Sequence, residues 1–306
     1  MSKISQRDAF FNELYEIALL DKNVYLVVAD MAAPSLDKFR KNIPNQFINV
    51  GVAEQCAVTV AAGLALEGKK VFVYSIMPFV TLRCLEHIKI ECAVMKLPIT
   101  LVGMGSGFSY DESGPTHHSI EDLSIMRAFP NMIVNNITDS YMAKEVVKLS
   151  YLYKNPNYVR LDRRVTDDIY IDDSFESGFN VLKFGKIYIL ATGIMVHQAL
   201  EIADELEGVG VIDIHTFPFD EDIVLFMLGT RKIITLEENV LNGGLGSSVC
   251  EIINDLNCEI QVLRIGIDNK DGYCYKYGGR EEIWKHYGID KETSIRKIKG
   301  FLKEKE

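Results

Sequence analysis

Apolar positions along this chain switch between a helical and a strand-like spacing. Between Asp8 and Leu20, Phe10, Phe11, Leu14, Ile17 and Ala18 fall on one helical stripe. Val24 to Ala29 is an unbroken apolar run, the pattern of a strand buried on both faces. Glu54 to Leu66 is alanine-rich and apolar all round, which predicts a buried helix closed by Gly68. Val71 to Tyr74 predicts a strand, and Leu82 to Met95 a helix that stops ahead of Leu97-Pro98. Ile99 to Val102 is a further strand running into Gly103-Met104-Gly105-Ser106-Gly107. Helices at Ile120–Phe129 and Ser140–Tyr153 alternate with strands at Met132–Asn135 and Tyr158–Leu161.

Strands that alternate with helices of this length imply parallel pairing with helices on both sheet faces. From Asp162 to Phe179 the chain turns polar and acidic, with Asp167, Asp168, Asp172, Asp173 and Glu176, and reads as a connection. The pattern then restarts with strands at Ile187–Ala191, Val209–Ile212, Lys232–Leu236 and Gln261–Arg264, and helices at His197–Leu206 and Ser247–Asp255. The expected class is α/β in two domains, 1–170 and 185–306, joined by a linker at 171–184.

Composition narrows the function. A net charge of −10 argues against a nucleic-acid binder, which carries a basic patch or stripe. The 48% apolar share over 306 residues fills two cores. None of the six cysteines sits in a C-x-x-C pair or at zinc-ligand spacing. Met1 to Asp8 lacks the apolar core of a signal peptide, and no apolar run is long enough to span a bilayer. A cytoplasmic enzyme with reduced thiols is expected.

Four segments bear chemistry. Glu54 follows the extended run Phe47-Ile48-Asn49-Val50 and opens an apolar helix. It reads either as a group satisfying the helix dipole or as a desolvated, tunable carboxylate. Ser109 to Ser119 follows a strand at the edge where open α/β sheets bind ligands. Its adjacent His117 and His118 suit hydrogen bonds to a polar substrate, with a solvated loop as the alternative. Arg160-Leu161-Asp162-Arg163-Arg164 suits a carboxylate or phosphate, or salt bridges to the acidic linker. Asn242-Gly243-Gly244-Leu245-Gly246-Ser247-Ser248 precedes a helix and reads as a tight turn with a serine cap.

In order and spacing the chain resembles the transketolase family of thiamine diphosphate enzymes. The resemblance is carried by Ala29-Asp30-Met31-Ala32-Ala33-Pro34-Ser35, Phe47 to Gln55, Ala61-Ala62-Gly63-Leu64-Ala65, Gly114-Pro115-Thr116-His117-His118, Arg127-Ala128-Phe129-Pro130-Asn131, Glu237-Glu238-Asn239 and Gly243-Gly244-Leu245-Gly246. It implies a pyrimidine-binding domain with a mainly parallel sheet, followed by a transketolase C-terminal domain. It implies that Glu54 bonds the pyrimidine ring nitrogen of thiamine diphosphate and so activates the thiazolium carbon, and that Phe79 stacks on the pyrimidine. Asp30 falls with the cofactor residues. His117 matches a histidine beside the reacting carbons of the donor sugar. Arg163, with Ser35 and Arg7 as weaker matches, corresponds to a substrate-phosphate site.

The departures bear on substrate. Ser113 stands where the family commonly has an aspartate that reads a sugar hydroxyl, and Gly105 where a phosphate-contacting histidine stands. Ile76 and Leu82 replace aromatics that often flank the pyrimidine. The Gly-Asp-Gly segment that holds the diphosphate through a metal is missing; Lys270-Asp271-Gly272 does not supply it. The resemblance therefore implies the C-terminal subunit of a split transketolase in an α2β2 heterotetramer, with Mg²⁺ or Ca²⁺ held by an N-terminal partner subunit. The implied reaction is transfer of a two-carbon ketol unit from a ketose, expected to be phosphorylated, to an aldose. Alternatives are the β-subunit of a 2-oxoacid dehydrogenase, a deoxyxylulose-phosphate synthase-like enzyme, or a non-catalytic scaffold subunit.

Overall fold

The computed structural model describes residues 3–220, 223 and 230–303. Six strands form in the first half: β1 (Val24–Val28), β2 (Phe47–Asn49), β3 (Lys70–Ile76), β4 (Ile99–Met104), β5 (Ile133–Asn136) and β6 (Asn157–Leu161). The second half adds β7 (Phe179–Lys183), β8 (Ile187–Ala191), β9 (Val209–Ile214), β10 (Thr216–Phe217), β11 (Lys232–Val240) and β12 (Gln261–Ile267). The first sheet runs β10-β5-β6-β4-β3-β1-β2 and the second β12-β11-β8-β9-β7.

Pairing is parallel wherever helices cross over, as the alternating pattern predicts. The two antiparallel strands are the exceptions. β7, within the segment read as linker, pairs with β9, and β10 leaves the second half to pair with β5. Both are short edge strands with no crossover helix, so no period marks them in the sequence. Through β10 the second half adds an edge to the first sheet. One apolar cluster accordingly runs from Val58, Met77 and Leu101 to Ile212, Phe217 and Leu245.

Two helices differ from their expected form. Glu54–Leu66 forms as predicted, but is only half buried: Cys56, Thr59, Gly63 and Leu66 face outward. The expected Leu82–Met95 helix is broken into a 3-10 turn (Leu82–Cys84), one α turn (Leu85–His87) and a π segment (Ile88–Val94). No proline or glycine lies inside it, so composition gives no sign of the break. Among the described residues no helix is long and apolar enough to cross a membrane.

Candidate active site

In the first sheet, the neighbouring strands β6, β4, β3 and β1 end at one edge, and the segments that leave them carry most of the predicted residues. Glu54 is the first residue of its helix, yet it does not cap it. Its carboxylate turns inward at 2% exposure. Ser75 Oγ, on β3, donates to Oε1 at 3.2 Å, and Arg83 Nη1 donates to Oε2 at 2.5 Å. The dipole-only reading is therefore too small: this carboxylate is desolvated and has specific partners.

Arg83 is absent from the residues that the motifs single out. It sits in the 3-10 turn after Met77-Pro78-Phe79-Val80, a short helix with proline in its first turn. Its guanidinium lies 4.2 Å from the Phe79 ring centroid while it donates to Glu54. A flat, hydrogen-donating cation thus stacks on Phe79 and reaches Glu54 at once. The Phe79 ring also meets His117 at 5.2 Å, edge to face.

The two adjacent histidines divide. His117 is half-buried, with Nδ1 3.0 Å from Thr116 Oγ1. His118 turns into the interior against Phe108, and burial drives its imidazole down to about 4. Beyond His117 comes Tyr110, ring centroids 5.8 Å apart, and over Tyr110 lies the Arg163 guanidinium at 4.3 Å. Glu54, Arg83, Phe79, His117, Tyr110 and Arg163 therefore form one continuous line of contacts.

Arg7 and Ser35 form a second group. Both bond the carboxylate of Asp8, Ser35 Oγ at 2.8 Å and Arg7 Nε at 3.1 Å. Ser113 is exposed, and its backbone N–H donates to the Tyr110 carbonyl. Asp30, also exposed, adopts φ 53° just past β1, where its N–H donates to Asn49 Oδ1 at 3.0 Å. The same Asn49 oxygen accepts from Gly51 N–H, fixing the turn that leads to Glu54.

Among the described residues the arginine run does not bridge to the acidic linker. Arg160 is buried on Asp122, bonded through Nε at 2.6 Å and Nη2 at 3.0 Å, and Arg164 meets Glu281. Asp162 is held by Arg280, whose guanidinium also bonds Glu238. Burial pushes Asp162 up, but Arg280 and Ser106 outweigh it and hold the carboxyl at about 2. This buried cluster ties the loop after β4 to both β11 and the helix Arg280–Tyr287. Gly107 is required beside it, because a Cβ there would lie 1.9 Å from Glu238 Oε2.

The glycine-rich turn at 242–248 is not capped by serine. Glu237 accepts from the N–H groups of Leu245 and Gly246 at 2.8 Å each, so a side chain of β11 already fills the anion position of that helix. Burial raises the Glu237 carboxyl to about 7 against the pull of those two N–H groups.

A buried carboxylate and an aromatic slot at the C-terminal edge of a parallel sheet, backed by a second α/β layer, define a two-domain α/β site of the cofactor-binding kind. Residues 2–167 match the family model for the transketolase pyrimidine binding domain, and 183–293 that for the transketolase C-terminal domain. The chain belongs to the transketolase family, whose members depend on thiamine diphosphate. It is 34% identical over 311 residues to one of the subunits of the apulose-4-phosphate transketolase of Phocaeicola vulgatus, covering 98% of each chain. It is 37% identical over 300 residues to a 6-deoxy-6-sulfo-D-fructose transketolase subunit of a Clostridium species, covering 95% of this chain and 92% of that one. The 1-deoxy-D-xylulose-5-phosphate synthase of Caldanaerobacter subterraneus is 33% identical over 302 residues, which are 48% of its length. A solved split-gene transketolase, described as an inactive β4 tetramer, superposes with TM-score 0.85 at 30% identity over 98% of both chains.

Proposed function

We propose that this chain is the C-terminal subunit of a two-chain transketolase. It moves a two-carbon ketol unit from a ketose to an aldose in a site shared with an N-terminal subunit. One observation carries the reading: Glu54 is buried directly beneath a face that the chain itself does not cover. The helix Glu54–Leu66 and the segment 82–95 lie side by side, tied by Gln55 to the Arg83 carbonyl and by Thr59 to Glu91. Along these segments and just before the helix, Val52, Cys56, Leu66, Leu82, Ile90, Val94 and Met95 stand exposed. Exposed apolar side chains spread along two adjoining segments, one of them opened by a buried carboxylate, suit a protein partner. The relatives named as transketolase subunits support the same reading.

The residues fit the cofactor. A flat heteroaromatic ring that donates a hydrogen bond needs an aromatic face and a desolvated acceptor, and the Arg83 guanidinium stands in for such a ring on Phe79 and Glu54. Phe79 would hold the pyrimidine face and Glu54 its ring nitrogen. Bound there, thiamine diphosphate supplies an acidic carbon and an electron sink for breaking the bond beside a ketose carbonyl. Glu54 keeps its proton-accepting oxygens aimed by Ser75, which lowers the reorganisation needed when a proton moves. His117, next along the line, would hydrogen-bond the donor sugar, and Ser113 and Arg163 with Arg7 and Ser35 would take its further hydroxyls and far end. Asp30, just past β1, would belong with the cofactor residues. The diphosphate and its Mg²⁺ or Ca²⁺ belong to the partner, in an α2β2 assembly.

The test is reconstitution. The purified chain, an N-terminal transketolase subunit, thiamine diphosphate and Mg²⁺ are mixed with fructose 6-phosphate and ribose 5-phosphate. Ketol transfer is expected in the mixture alone. Decarboxylation of pyruvate without ketol transfer would reverse the assignment in favour of the synthase-like or dehydrogenase-like reading.

A further inference from the structure

We propose that Tyr110 is a specificity-determining residue, whose phenolic hydroxyl takes the tetrahedral oxyanion, phosphate or sulfonate, at the far end of the substrate. This rests on the proposed ketol transfer for the identity of the substrate, and on geometry for the residue.

Gly105 and Tyr110 form one unit. A Cβ on Gly105 would lie 2.2 Å from Tyr110 Cε2 and 2.3 Å from Cδ2, at a backbone φ of +103°. The tyrosine ring thus fills the space that any side chain at 105 would need, so this loop brings a phenol to Arg163 and His117. Its ring is held from two sides, by the Arg163 guanidinium at 4.3 Å and by His117 at 5.8 Å. Ser109 fixes Arg163 in turn, its Oγ accepting from Arg163 N–H at 2.9 Å and its carbonyl from Nη1 at 3.2 Å.

Charge points to the ligand. Among the described residues no carboxylate pairs with Arg163, and no group hydrogen-bonds the Tyr110 hydroxyl. Both Arg163 and Arg7 act electrostatically on that phenol. An exposed guanidinium with no carboxylate partner, beside a phenolic O–H donor, offers an anion two complementary groups. The site's order gives the polarity. Glu54 and Phe79 stand at one end, His117 in the middle, and Tyr110 with Arg163 at the other. A sugar with its carbonyl toward Glu54 brings its distal substituent to Tyr110.

Tyr110→Phe removes the hydroxyl and keeps the ring, so the packing against Gly105 survives. In the reconstituted complex we expect KM for fructose 6-phosphate to rise ~10-fold or more, the low end for a hydrogen bond to a charged group, with kcat within about two-fold. Unphosphorylated fructose should show no change. The same comparison with a sulfonated ketose tells phosphate from sulfonate by which donor responds. An equal change for fructose and fructose 6-phosphate, or a fall in kcat with KM unmoved, overturns the proposal while leaving ketol transfer intact. Should the complex transfer no ketol at all, the functional reading fails instead. Calorimetric titration of the complex with inorganic phosphate then still decides: weaker binding by Tyr110→Phe supports the role, and equal binding overturns it.

Discussion

Arg83 Nη1 donates to Glu54 Oε2 at 2.5 Å while its guanidinium stacks on Phe79, so the buried carboxylate and the aromatic slot are both engaged by one side chain. The pair is lopsided: Glu54 is 2% exposed and Arg83 41%. Solvent screens the arginine end, and exposed pairs contribute roughly 0.2–1 kcal/mol.

A double-mutant cycle isolates that term. Arg83→Met should lower the stability of the chain by about 1 kcal/mol, and should matter much less in the Glu54→Gln background. Urea denaturation of the four proteins gives the coupling. Strict additivity would mean that the contact carries no energy.

Arg280 is the stronger structural element. It bonds Asp162, just past β6, and Glu238, on β11 of the other sheet, and all three are buried. Arg280→Met leaves two carboxylates buried without their cation, and breaking such a pair costs about 3–5 kcal/mol. Chemical denaturation is expected to show a loss of that order, and early proteolysis near Gly107, whose loop the cluster holds. A loss under about 1 kcal/mol would contradict the role of the cluster.

Asp213 gives a pH signature. It accepts from Thr138 Oγ1 and Tyr170 Oη through one oxygen, and its other oxygen is buried without a partner. Burial pushes its carboxyl up to about 7, against those two bonds, with Asp139 adding like charge. A raised folded-state value means the folded form holds the proton longer than the unfolded form. The contribution is therefore full at pH below the ordinary 3.8 and is lost as pH rises through about 7. Asp213→Asn removes this loss. Relative to the parent, the variant should gain on the order of a few kcal/mol between pH 4 and pH 8, read from denaturation midpoints. A stability difference that does not change with pH would show that Asp213 is ionised throughout.

The fold was largely legible because parallel α/β layers declare themselves through period. β1, β3, β4, β5, β6, β8, β9, β11 and β12 fall on runs visible in the sequence. β7 and β10 did not declare themselves, being short and paired antiparallel at sheet edges. In the site, the motif residues Glu54 and His117 and the matched residues Phe79 and Arg163 fall on one line of contacts. Arg83 and Arg280 were not legible, and Tyr110 lay unmarked within the segment Ser109 to Ser119. Each matters through a partner 5 to 118 residues away, which no local pattern encodes. Only Gly105 carried a signal, as a glycine where a side chain was expected. The serine cap on the Leu245–Asp255 helix failed for the same reason, because Glu237 arrives from a neighbouring strand.

The most direct measurement is the turnover of Glu54→Gln in the complex reconstituted with an N-terminal subunit, thiamine diphosphate and Mg²⁺. Glutamine keeps the size of the side chain and removes the charge and proton acceptor, so assembly with the partner should persist by size-exclusion chromatography. The rate of ketol transfer should fall by roughly 10²–10⁴-fold, the range for a positioned acid–base group. Full-rate transfer by Glu54→Gln would contradict the assignment of this buried carboxylate as the acid–base group of the shared site.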